Sequence, residues 1–438
     1  MIILAKIFNR YLMSAVILKN IICGDRPCDI YIKDDRIAAI LPAAPDRASC
    51  GEEMKAEVVD CTGKHALPGL VNSHTHAAMT LLRGIGEDIC FSDWIDKIWV
   101  EEEKIDPDYI YWATKVACLE MIKTGTTTFY DQYWHVPAAA GAVAEMGLRA
   151  VLSYVHLDHY DEAKSELQRK ECSDLYARSL SWPDNLSLSV AVHSVYSVSE
   201  SQILWAAEFA RKHGLRINVH LCETEKEVTD CKSAHGMSPV RYLDSLGVLG
   251  PDVVAAHTLW LDPEDIRILA DRHVSCVHNI NSNLKLASGY RFLYNELRDA
   301  GVNVCMGTDG CASSNNLDLL EAMKTAALVQ KAWRRDPAAM PLDELMAMAT
   351  ANGADALGLD TGRLEAGKLA DILIVDTDSS FFLSNAAFLA NFVYSAHSDC
   401  ISSVICGGKF LMRDRKVPGE KEILEGARKV LERLGSRK

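Results

Sequence analysis

Residues 67–84 read LPGLVNSHTHAAMTLLRG, an apolar run that ends in His74-Thr75-His76. In a strand, side chains at i and i+2 leave the same face, so both imidazoles can point at one object. Neutral imidazole is the commonest metal ligand among side chains. Taken alone, two histidines at a strand end are ordinary polar residues. The reading turns on whether metal-competent side chains also end the strands that follow.

Working outward from that stretch, short β-branched runs alternate with longer helical patterns such as PDYIYWATKVACLEMIKTG (107–125) and SESQILWAAEFARKHG (199–214). Eight strand candidates can be counted: LVNSHTH (70–76), TTTFYD (126–131), RAVLSYV (149–155), SLSVAVH (187–193), RINVHL (216–221), VVAAH (253–257), VSCVHN (274–279) and NVCMGTDG (303–310). Eight strands alternating with helices predict an α/β fold, a (β/α)8 TIM-like barrel over residues 68–361.

The flanks have another texture. AVILKN, DIYIKDDRIAAI and AEVVDCTGKHALPG are short β runs separated by turn signals, and similar runs return in GRLEAGKLADILIVD and SVICGGKFLMRDRKV. Residues 1–67 and 362–438 are therefore expected to build one small β-sandwich from both chain ends, with a C-terminal helix from Glu420 onward. The basic, apolar start MIILAKIFNRYLM is interrupted by Lys6, Asn9 and Arg10 and lacks a cleavage signature. Met13 is read as the natural start, with residues 1–12 an upstream extension.

The predicted barrel strands end in His74 and His76 (first), Asp131 (second), His193 (fourth), His220 (fifth), His257 (sixth), His278 (seventh) and Asp309 (eighth). Barrel active sites lie at the C-terminal strand ends, so these groups would converge on one mouth. A ligand set of His74, His76, His220 and Asp309 leaves a position open for water. Three nitrogens and a carboxylate suit one divalent ion, zinc first, with iron or manganese compatible. Such an ion makes hydroxide available near neutral pH, and Asp309 could accept the proton released. Glu223, in HLCETEKE, leaves the fifth strand beside the metal and is placed to protonate a substrate ring nitrogen as general acid. His257 would orient or polarise the attacking water.

The bulk numbers narrow the class. With 49% hydrophobic and 24% charged residues the 438-residue chain reads as an ordinary globular protein. A net charge of -14 argues against a nucleic-acid partner. No apolar run is long enough for a bilayer, and the 14 cysteines contain no CxxC pair, so a reduced, cytoplasmic protein without a membrane partner is expected. A homo-oligomer is compatible with a barrel of this size.

In PGLVNSHTHAAMTLLRG, VHLCETEKEV, VAAHTLW, HNINSNLKLASG and MGTDGCASSNNLDLLEAM the chain resembles the amidohydrolase superfamily, and more narrowly its methylthioadenosine/S-adenosylhomocysteine deaminase and chlorohydrolase-like branch. The resemblance implies the same metal ligands and the same proton-handling roles for Glu223, His257 and Asp309. It further implies substrate contacts from Glu102, in IWVEEEKI, and from His193, with Glu101 or Glu103 as alternative registers for the glutamate. The implied reaction is hydrolytic deamination of an adenosine-type nucleoside (5'-methylthioadenosine, 5'-deoxyadenosine, adenosine or S-adenosylhomocysteine). The alternatives are aminohydrolase or chlorohydrolase action on guanine, a pterin or an s-triazine, and, remotely, a non-catalytic scaffold. One departure stands out. Where homocysteine-binding members resemble one another in an arginine after the third strand, this chain has Tyr154, and Arg149 is the nearest arginine.

Overall fold

The computed structural model describes residues 16–43, 56–384 and 387–435, so the expected extension and Met13 lie outside the described residues. The first strands are β1 (Val16–Cys23), β2 (Arg26–Lys33), β3 (Arg36–Pro42), β4 (Glu57–Asp60) and β5 (Lys64–Pro68). Eight strands follow: β6 (Leu70–Thr75), β7 (Thr126–Gln132), β8 (Arg149–His156), β9 (Leu186–Val192), β10 (Ile217–Leu221), β11 (Val253–His257), β12 (Ser275–His278) and β13 (Asn303–Met306). The last three are β14 (Ile372–Asp376), β15 (Ile401–Cys406) and β16 (Lys409–Met412).

Both chain ends share one mixed sheet, in the order β16-β15-β14-β5-β1-β2-β3, with β4 paired to β1. The junction is the antiparallel pair β5–β14, where Leu67 faces Leu373 and His65 faces Val375. Alternating apolar residues, among them Leu18, Ile30, Ile32, Ile372 and Ile405, form its core. The C-terminal helix, Glu420–Gly435, lies against the barrel helix Pro107–Thr124, and Gly426 allows the approach because a Cβ there would fall 2.3 Å from the Trp112 ring.

Strands β6 to β13 run in sequence order, all parallel, as one continuous sheet. Every residue of β6, β7, β10, β11 and β12 is buried, which explains why these strands read as continuous apolar or β-branched runs. Val71, Tyr130, Val151, Val254, Val277 and Cys305 pack together and against the helix Ala351–Leu357.

The edges β13 and β6 meet through side chains as well as backbone. Asn72 Nδ2 donates to Thr308 Oγ1 at 2.7 Å, and Thr308 N–H donates to Asn72 Oδ1 at 3.0 Å. Asp309 N–H donates to the His74 carbonyl at 3.1 Å. This seam sits directly below the two ends that carry His74, His76 and Asp309.

Candidate active site

The ends of β6, β10 and the segment after β13 bring four donors together. His74 Nε2 lies 3.2 Å from His220 Nε2 and 3.4 Å from Asp309 Oδ1, and His76 Nε2 lies 3.1 Å from the same Oδ1. His257 joins from β11, its ring centroid 5.5 Å from that of His220 and 5.8 Å from that of His74. Ligand atoms of His74, His220, His257 and Asp309 all fall within 4.8 Å of one another.

The donors are individually oriented. His76 Nδ1 lies 2.6 Å from the Gln132 carbonyl, which can only accept, so that nitrogen is the donor and Nε2 is turned to the cluster. Asp309 Oδ2 accepts from Ser282 Oγ at 2.6 Å and Ser313 Oγ at 2.8 Å, whereas buried Oδ1 has no hydrogen-bond partner. A carboxylate with one oxygen satisfied by two hydroxyls and the other aimed at imidazole nitrogens fits a divalent cation. The backbone is strained here: Cys222, His257 and Asp309 have φ of 53°, 72° and 62°. Residues held in the left-handed region cluster where function demands them.

Burial pushes His220 well below its ordinary pKa and His257 down to about 3, keeping both imidazoles neutral. Burial also works against charge on His76 and Asp309, yet their mutual attraction wins: His76 rises to about 9 and Asp309 falls well below the usual carboxylate range. The pocket thus draws positive charge toward Asp309.

Glu223 is buried beside this cluster, its Oε2 3.7 Å from His257 Nε2 and its Oε1 3.5 Å from Ser288 Oγ. Burial first, then the neighbouring Asp309 and Glu227 charges, raises its pKa well above the usual carboxylate range, which favours its protonated form. Its backbone is clamped by a residue the sequence reading passed over. The Cys222 and Glu223 N–H groups each donate to a carboxylate oxygen of Glu227 at 2.8 Å. The signal was present in HLCETEKE, where Glu227, the third glutamate of the string, follows Glu223 at i+4 spacing.

His220, Glu223, His257 and Asp309 line a cavity together with His76, Glu102, His193 and Tyr196. His193 accompanies His220, with ring centroids 5.1 Å apart, and its Nδ1 lies 2.7 Å from Ser197 Oγ. Of the three consecutive glutamates, Glu102 lines the cavity, Glu101 turns to Lys104 at 2.8 Å, and Glu103 lies on the rim of the adjoining groove. Burial raises the Glu102 carboxyl against the opposing pull of Tyr133, Trp134 and His76.

Other strand-end residues fall outside. His278 stacks on Phe292 with centroids 4.0 Å apart and does not line the cavity. Asp131 Oδ1 accepts from the Ala77 N–H at 2.7 Å and braces the turn after His76. Arg149 begins β8, is buried, and pairs with Asp371 of the terminal sheet region at 3.4 Å, far from the strand ends. Tyr154 donates to Glu171 Oε2 at 2.7 Å.

Residues 65–411 match the amidohydrolase family, and the chain belongs to that family. It is 42% identical over 426 residues to a 5'-deoxyadenosine deaminase of Methanoregula boonei, covering 96% of this chain and 95% of the relative. It is 40% identical over 407 residues to a 5-methylthioadenosine/S-adenosylhomocysteine deaminase of Thermococcus sibiricus, covering 91% and 94%. Among solved structures, an adenosine deaminase from Xanthomonas campestris with bound zinc superposes with a TM-score of 0.88 at 28% identity, covering 97% of this chain and 99% of the other.

Proposed function

We propose that the protein is a metal-dependent hydrolytic deaminase of an adenosine-type nucleoside, converting the 6-amino purine to its 6-oxo analogue with release of ammonia. The observation that carries this reading is one cavity in which an unpartnered Asp309 Oδ1, the imidazoles of His76, His220 and His257 and the buried carboxyl of Glu223 face each other. The curated relatives' names point the same way.

His74, His76, His220 and Asp309 would hold the divalent ion, zinc by donor type, with iron or manganese also suited to nitrogen and carboxylate donors. When bound, the ion supplies Lewis acidity that makes water nucleophilic at neutral pH. The chain's residues handle the protons and the substrate. Glu223 delivers its proton to the ring nitrogen next to the amine-bearing carbon, which makes that carbon electrophilic. Asp309 Oδ1 would take one proton from the attacking water and return it to the departing amine, and the second water proton would restore Glu223 as the 6-oxo group forms. His257, neutral and 3.7 Å from Glu223, orients the water on the reacting face. His193 and Glu102 contact the substrate, Glu102 holding the ribose hydroxyls from the outer part of the cavity.

The test is ammonia release from adenosine, 5'-deoxyadenosine, 5'-methylthioadenosine and S-adenosylhomocysteine, assayed side by side with guanine and a pterin. Turnover of at least one adenosine and neither of the last two is expected. Release only from guanine or the pterin would overturn the assignment.

A further inference from the structure

Beyond the catalytic cavity lies an open groove. The two spaces are continuous, because Trp99, Glu102, Tyr133, Trp134 and Val155 line both. If the purine amine lies at Glu223 and the ribose at Glu102, the part of the nucleoside left to enter the groove is the 5' substituent.

One wall of the groove is a single face of the helix Glu162–Ser179. Lys164, Leu167, Gln168, Glu171, Asp174 and Arg178 line it at i, i+3, i+4, i+7, i+10 and i+14 spacing, one helical stripe. Opposite, Tyr154 anchors the middle of the stripe through its hydrogen bond to Glu171. Asp174 follows Glu171 by one turn on the same stripe. Lys164 and Arg178 are each two turns from Glu171, about 10 Å along the helix axis. The centre of the groove is therefore acidic and its cations sit at the two ends. Apolar Ile105, Val136 and Leu157 complete the surface, so a thioether chain has walls to lie against.

We propose that this groove is a 5'-substituent site that selects adenosines with neutral or cationic tails and rejects anionic ones, with Glu171 as the discriminating residue. The proposal rests on the deaminase reading above. A tail carboxylate reaching Tyr154 would meet the Glu171 charge, whereas an ammonium there would gain an ion pair. Glu171 is exposed, so solvent screens it and the swing from repulsion to attraction amounts to about three- to tenfold in kcat/KM.

The experiment uses two 5'-thioether adenosines of equal length, one ending in an ammonium and the other in a carboxylate. Rates on the metal-loaded full chain are divided by the rate for 5'-deoxyadenosine, which has no tail, in the same preparation. The expected result is a preference of about threefold or more for the ammonium tail. In Glu171→Gln the preference should shrink to near unity, and in Glu171→Lys it should invert. A ratio near unity in the parent protein, or a preference that survives both substitutions, overturns the proposal while 5'-deoxyadenosine turnover leaves the deaminase reading standing. Failure to deaminate any adenosine overturns both.

Discussion

The Glu223 N–H donates to Glu227 Oε2 at 2.8 Å, so the residue assigned to protonate the substrate is held in place by a carboxylate one turn further on. The Cys222 N–H occupies the other oxygen at the same distance, and Cys222 itself has a φ of 53°. A glutamine at 227 offers one acceptor where two are needed and turns its NH2 toward a buried donor. Glu227→Gln is expected to lose about 1–3 kcal/mol of stability. It should also lower kcat by roughly tenfold or more, with KM changed less, because Glu223 is displaced rather than removed. Thermal melts and steady-state kinetics on the same preparation check both, and an unaltered kcat would confine Glu227 to a folding role.

The same residue sets a pH dependence of stability. Burial raises the Glu227 carboxyl from 4.5 to about 7. Because the folded pKa lies above the unfolded one, its stabilising contribution is complete below pH 4.5 and is lost as pH rises through about 7. The span corresponds to at most about 3 kcal/mol. Denaturant midpoints measured between pH 5 and 8 should fall for the parent protein and fall less for Glu227→Gln. Parallel slopes for the two proteins would refute the assignment.

Removing a ligand and removing the acid should have separable effects. His220→Ala takes away a nitrogen 3.2 Å from His74 Nε2 and is expected to lose both bound metal and activity. Glu223→Gln leaves the four ligand atoms in place, so metal content should stay near that of the parent while turnover drops by about 10²–10⁴-fold. Elemental analysis alongside the ammonia assay distinguishes them. Loss of metal from Glu223→Gln would remove Glu223 from its acid role and place it among the ligands.

The barrel was legible because parallel strands covered on both faces must be apolar throughout, and runs such as VVAAH and RINVHL announce that. The pair His74 and His76 was legible because strand periodicity is two. What the sequence withheld depends on local rotation at strand ends. His257 and His278 both close a strand in similar contexts, yet His257 turns into the cavity with a φ of 72° while His278 stacks on Phe292. The glutamate register was closer to the surface of the sequence than it looked. Trp94, Ile98 and Glu102 are spaced i, i+4, i+8, so the buried face of helix Phe91–Glu102 runs on into Glu102. The seam partner Asn72 left no signal, since one asparagine in an apolar strand reads as an ordinary interruption.

That seam makes the last prediction. Asn72 joins β6 to the segment after β13 through two hydrogen bonds with Thr308, and His74 and Asp309 project from the two sides so joined. The spacing of His74 and Asp309 is thus tied to barrel closure. Asn72→Leu keeps the side-chain size and leaves the buried Thr308 N–H without its acceptor, at a cost of about 1–3 kcal/mol, while the Thr308 hydroxyl keeps its bond to the Asp309 carbonyl at 3.1 Å. Gly307→Ala should strain the same seam, because its Cβ would fall 2.4 Å from Asn279 Oδ1 and 3.0 Å from the His74 carbonyl. Both variants are expected to bind metal roughly 10–100-fold more weakly, as supporting residues around a site typically do when lost. Competition with a chelator measures this directly. A lowered melting temperature with unchanged metal affinity would mean that His74 and Asp309 hold their spacing without the seam.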